Sequence, residues 1–263
     1  MTWLTSLPVG VLVVGSLVLA GLVAVGSRLA INRFVPAEDE GQVRAIAGPL
    51  MPALAATFSV LTALTLASEA GYLRAAQDIV STEAAQASRL AWASTTPGVE
   101  SEPIPASLTD YLRDTRANEW HGATADERAD PETTEAIADL ERTVRAEAAD
   151  PDLGTPTGTE LLASLDGVTV ARRDRIAASS REIPVLYVIT LAISGAALVA
   201  NAGALTFRHG RRAALLVAGL ACVVAISMAL LFSLAAPWDG PLVATGGPLD
   251  AMIRDLQSGY FSP

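Results

Sequence analysis

The chain has 263 residues, 51% of them apolar and 17% Asp, Glu, Lys or Arg, with a net charge of −10. That acidity excludes a nucleic-acid partner, which needs a basic face. All 18 basic residues are arginine, and the single cysteine, Cys222, excludes an intrachain disulfide.

Four long stretches, 1–27, 45–68, 183–207 and 213–238, contain no Asp, Glu, Lys, Arg or His. A hydrocarbon layer roughly 30 Å thick takes about 20 apolar residues at helical rise. Soluble core helices rarely stay free of charge so long, because one face meets water. The expected fold is therefore an all-α polytopic membrane protein with four transmembrane helices, and its first partner is the lipid bilayer. The first stretch lacks a positive n-region and a small-residue cleavage site, so it reads as a retained helix rather than a signal peptide.

Residues 1–71 supply transmembrane helices 1 and 2. Between helices 2 and 3, residues 72–182 form a helical extramembrane insertion rich in Ala, Glu, Asp, Arg and Thr. Leu73, Ala76, Val80, Ala84, Ala87 and Leu90 keep helical spacing, which predicts that the second membrane helix continues well past the bilayer. Glu83 falls within that apolar stripe, where pairing with an arginine is the expected explanation. Pro97, Gly98, Pro103 and Pro105 predict a loop over 94–106. A helix carrying Leu108, Tyr111, Leu112 and Thr115 follows, ending near 120–122. Asp130-Pro131-Glu132 has the form of an N-cap with proline at the first helical position. The helix it opens presents Ile137, Leu140, Val144 and Ala148. Residues 150–158 break the chain, and a last helix from about Thr159 carries Leu161, Leu165 and Val168. Residues 183–238 supply helices 3 and 4, with a kink or restart expected at Pro184. The tail, 239–263, ends in a short amphipathic helix with Leu249, Met252, Ile253 and Leu256 on one stripe. It has only Arg254 as a basic residue, so docking on the helical insertion is expected over lying on lipid.

Polar groups inside the spans are hydroxyls and amides, among them Ser59, Thr62, Thr65, Ser68, Thr190, Ser194, Asn201 and Ser227. Hydrogen bonds back to main-chain carbonyls or between helices are the simplest reading. A weakly polar pore wall on the second helix is the sharper one. Ala192, Ala196, Ala200 and Ala204, with Gly195 and Gly203 beside them, are the candidate helix-packing residues. No catalytic, cofactor or metal residues are assigned. His121 and His209 have no second ligand at zinc spacing, and no nucleophile elbow or lysine-bearing phosphate loop occurs. The chain is not read as an enzyme.

Arginines near the membrane ends give the orientation. Arg28, Arg33, Arg44, Arg208, Arg211 and Arg212 flank the two short loops. Arg74, Arg89, Arg172, Arg173, Arg175 and Arg181 on the other side nearly equal them in number, but long segments count for less and the N-terminus has no arginine, so the rule leans toward both termini and the helical insertion outside.

Glu69, Tyr72, Ala76, Val80, Glu83 and Ala84 after the second helix form a pattern with four later features. These are Tyr111 with Glu119-Trp120, Arg172-Arg173 with Arg175, Pro184, and Gly240-Pro241-Leu242. The pattern, from about residue 46 to 256, resembles the bacterial bestrophin-like membrane protein family. The resemblance implies a homo-oligomer in the bacterial plasma membrane, a pentamer as in bestrophins, conducting a small anion along its second helix. Bestrophins narrow at apolar and aromatic pore side chains; carried over, Phe58 becomes the candidate constriction, with Leu61, Thr62 and Thr65 as pore-lining neighbours. The resemblance also puts the termini and helical insertion in the cytoplasm, opposite to the arginine count. The alternative function is a non-conducting envelope protein whose helical insertion binds a partner or senses a condition.

Overall fold

The computed structural model describes residues 9–100, 102–120, 129–179, 185–206, 210–234, 238 and 243–261. His121, His209, Pro184 and residues 240–242 lie outside them, as does the expected helix end at 121–122. The described residues hold helices and no strand. In chain order the helices are α1 (Val9–Phe34), α2 (Glu40–Ala93), α3 (Pro103–Asn118), α4 (Pro131–Ala148), α5 (Thr155–Ser179), α6 (Val185–Leu205), α7 (Arg211–Leu234) and α8 (Gly247–Gln257). A single 3-10 turn, Ala37–Asp39, precedes α2. Four helices, α1, α2, α6 and α7, are long and apolar enough to cross a bilayer.

Helix ends depart from the charge boundaries in a consistent way. α1 runs past Ser27 through Arg28 to Phe34, and α2 starts at Glu40 rather than Ala45. Glu40 and Arg44, one turn apart, pair at 2.5 Å and extend the first turn. Charge therefore marks where a helix leaves lipid, and the backbone continues beyond it. The prolines mislead in the opposite sense. The loop expected over 94–106 ends at Glu102, because Pro103 and Pro105 occupy the first turn of α3. Pro156 likewise lies in the first turn of α5, which opens at Thr155 and not Thr159. Proline is tolerated there because the first amides of a helix have no intrahelical acceptor.

The chain divides into two compact units, one of 1–71, 182–236 and 240–242, the other of 72–181, 237–239 and 243–263. In the first unit α1 packs along α7 and α6. Its core holds Ala20, Phe58, Leu191, Leu198, Val224 and Leu231. Pro49 and Pro52 lie inside α2, so the carbonyls of Ala45 and Gly48 lose their usual helical donors. Nearby, the buried amide of Asn201 on α6 donates to the Ala47 carbonyl at 3.0 Å and ties α6 to α2.

In the second unit Val80 and Leu90 of α2, Leu108 and Leu112 of α3, Leu140 of α4 and Leu161 of α5 meet in one core. Asp130 caps α4 by accepting from the Thr133 amide at 3.0 Å, as the sequence predicts. α8 packs on α3, with Leu249 and Met252 buried and Arg116 bound to Asp250 at 2.7 Å. Burying each of those two side chains stabilises the dock by about 1.5–3 kcal/mol. Gly158 is needed at the α4–α5 approach, since a Cβ there would stand 2.9 Å from the Ala148 carbonyl oxygen.

Candidate functional site

α2 has two different sides. At roughly 100° per residue, Leu61, Phe58, Thr62 and Thr65 fall on one arc. The structure brings these four together on the side turned into the first unit's own core. Phe58 is 5% exposed, and Gly195 of α6 approaches its ring closely enough that a Cβ on Gly195 would stand 3.1 Å from it. Leu61 packs against the same cluster, which also holds Val224 of α7. Thr65 donates back to the Leu61 carbonyl at 2.7 Å, and the Thr62 hydroxyl is buried without a partner among the described residues. In a single chain, then, Phe58 and Leu61 pack into the bundle, while Val60 and Leu64 of the same helix stay exposed.

The opposite side carries Ala53, Ala56, Val60, Ala63, Ala67 and Gly71, all exposed and none ionisable. Further along α2 the same phase brings out Arg74, Asp78, Ser81 and Ala85, also exposed.

The candidate packing alanines behave differently from their neighbouring glycines. Ala192 is exposed and Ala196, Ala200 and Ala204 are partly exposed. A four-residue step overshoots a turn by about 40°, so the row winds off the contact face. The close approaches are made by Gly195, against Phe58 and Val224, and by Gly203, against the Ser27 hydroxyl.

In the second unit five of the residues that carried the resemblance, Glu83, Tyr111, Glu119, Arg172 and Arg175, converge. Glu83 of α2 is fully buried and accepts from Arg175 Nε of α5 at 2.6 Å and from the Tyr111 hydroxyl of α3 in a short bond of 2.5 Å. Arg175, 2% exposed, donates also to Glu119 at 2.8 Å. Glu119 accepts further from Arg172 at 2.6 Å and from the Asp130 amide at 3.1 Å. Arg172 reaches the Thr134 hydroxyl at 3.0 Å. Two carboxylates and two guanidinium groups thus neutralise one another, with both carboxylates buried. Burial raises the Tyr111 hydroxyl pKa well above its ordinary value, and the Glu83 carboxylate adds to the effect. The guanidinium of Arg175 is held charged more firmly than usual by Glu83, Tyr111 and Glu119, against the pull of its own burial. The pairing expected for Glu83 is found; Glu119 as the second partner was not expected. Its signal was the three-residue step from Arg172 to Arg175, which puts both on one side of a helix.

Trp120 follows Glu119 and packs edge-to-face on Trp238 with ring centroids 5.7 Å apart. The Arg116 guanidinium lies 4.6 Å from the Trp120 ring centroid. Among the described residues no three of His, Cys, Asp and Glu could hold a metal ion together. The network bonds α2, α5 and the C-terminal end of α3 to one another.

A crystal structure of a bacterial Bestrophin homolog from Klebsiella pneumoniae is similar at a TM-score of 0.68 and 13% identity, covering 93% of this chain and 97% of that one. A point variant of a Klebsiella pneumoniae homolog gives 0.65 and 13%, covering 93% and 99%. A crystal structure described only as a membrane protein variant gives 0.70 and 12%, covering 95% and 98%. At such identities the likeness is one of fold. No curated protein sequence matches the chain. The family model described as the Bestrophin-like domain matches residues 18–248.

Proposed function

Because the chain belongs to the Bestrophin-like family, we propose that it is an oligomeric channel of the bacterial plasma membrane, passing small anions along the exposed side of α2. The observation that carries this reading is the unpartnered, uncharged row Ala53, Ala56, Val60, Ala63, Ala67 and Gly71 on a helix whose other side is packed. Copies of α2 arranged around an axis would turn this row toward a narrow path of small and apolar groups, where constriction and dewetting control passage. Phe58, Leu61, Thr62 and Thr65 would then stand behind the wall and set its stiffness. The stoichiometry proposed is the bestrophin pentamer. Purified protein in planar bilayers is expected to conduct, with a detergent-corrected mass of five subunits. Intact oligomers that leave the bilayer current at its protein-free level overturn the reading.

The same reading puts the helical insertion and termini in the cytoplasm, as bestrophin kinship implies and against the arginine count. Ser81→Cys in a Cys222→Ala background is expected to react with an impermeant maleimide only after cells are opened; labelling of intact cells reverses the orientation.

The second reading, a non-conducting protein whose helical insertion binds a partner, is favoured by one feature. Trp92 and Tyr260 are 51% and 62% exposed and stack edge-to-face at 5.7 Å, an aromatic surface of the kind found at binding sites. A monomer or dimer without conductance would select it.

A further inference from the structure

The geometry points to Arg74 as the residue that sets the charge preference of the permeation path, with Asp78 as its opponent one turn further along α2. This rests on the channel reading above and goes beyond it by naming the selectivity group. From Ala53 to Gly71 the exposed side of α2 offers a permeating ion no ionisable group. Arg74 is the first formal charge that the same helical phase brings to that side, three residues after Gly71, and Asp78 follows four residues later. Both are exposed.

Their lack of local neutralisation matters as much as their position. The other arginines of α2 are engaged: Arg44 with Glu40, and Arg89 with Glu160 at 2.9 Å. Arg74 makes no ion pair among the described residues, with Asp78 or any other acid. Its charge is therefore available to an ion leaving or entering the uncharged stretch. One copy per subunit makes a cationic ring beside the low-dielectric part of the path, where a fixed charge acts most strongly on a partly dehydrated ion. The ring concentrates small inorganic anions there and repels cations. Asp78, further from the apolar row, faces better-hydrated ions and opposes the ring only in part.

The test is the reversal potential of reconstituted protein across an asymmetric KCl gradient. The wild-type value is expected on the chloride side of zero. Arg74→Gln should move it toward zero, Arg74→Glu should carry it to the potassium side, and Asp78→Asn should move it further toward chloride. Arg113→Gln, an exposed change on α3, should leave it where it was. The variants lie on a helix surface, and oligomer mass checks their assembly. Conductance with a reversal potential that Arg74→Glu does not move overturns the assignment while leaving the channel reading intact. Absence of conductance in wild-type oligomers overturns both.

Discussion

Arg175→Ala is expected to cost the helical unit about 3–5 kcal/mol, the range for removing one partner from a buried ionic cluster. In the wild type Glu83 and Glu119 face Arg175 and Arg172, and both carboxylates have no exposed side-chain surface. Removing Arg175 leaves two buried negative charges against one guanidinium and strands the Glu83 oxygen that accepted at 2.6 Å. The Tyr111 hydroxyl alone cannot offset that charge in a buried site. Arg175→Lys should recover little, because its single, shorter-reaching ammonium replaces the separate Nε and Nη2 donors that Arg175 aims at Glu83 and Glu119. A double variant, Arg175→Met with Glu83→Gln, restores the balance. Glu119 keeps Arg172, and the carboxamide introduced by Glu83→Gln still accepts from Tyr111. Its stability should return most of the way to wild type. Thermal midpoints in detergent, followed by fluorescence of the buried Trp120, rank the three. A midpoint for Arg175→Ala equal to wild type would show that the network contributes nothing to the fold.

Phe58→Ala separates a pore constriction from a core residue. With Phe58 in the bundle, truncation opens a cavity between α2, α6 and α7 beside Gly195 and Val224. The expected loss is roughly 3 kcal/mol, the low end for aromatic truncation in soluble cores. The low end applies because lipid tails are as apolar as the core, so lost packing and the void carry most of the cost. Gly195→Ala alone should also destabilise, since its Cβ would stand 2.8 Å from Val224 and 3.1 Å from the Phe58 ring. Combined, the two changes should cost less than their sum, because the new methyl enters the space the ring vacated. Detergent unfolding of the four-member cycle measures this coupling. Unchanged stability of Phe58→Ala together with raised conductance would move Phe58 to the pore wall and refute the packing account.

Residue type and spacing disclosed the four spans, the continuation of α2 through Leu90, the Asp130 cap and the buried stripe of Ile137, Leu140 and Val144. Each of these is a local consequence: lipid excludes charge, a helix repeats every 3.6 residues, and a cap acts three residues away. Helix starts at Pro103 and Thr155 were misplaced because proline is both a breaker and a favoured opener, and neighbouring residues alone do not decide between the two. The reach of α1 past Ser27 was missed because charge reports the lipid boundary, not the end of hydrogen bonding.

Other features had no local signature. Glu83 and Arg175 are 92 residues apart, and Arg175 and Glu119 are 56. Their meeting depends on how α2, α3 and α5 pack, although their residue types announced that some pairing was required. The direction of Phe58 likewise depended on a partner beyond its own helix. Both sides of α2 are uncharged across the bilayer, so hydrophobicity could not distinguish them. Packing of Phe58, Leu54, Leu61 and Met51 against α6 and α7, with Gly195 under the Phe58 ring, turns one side inward and leaves Val60, Leu64, Ala67 and Gly71 outside.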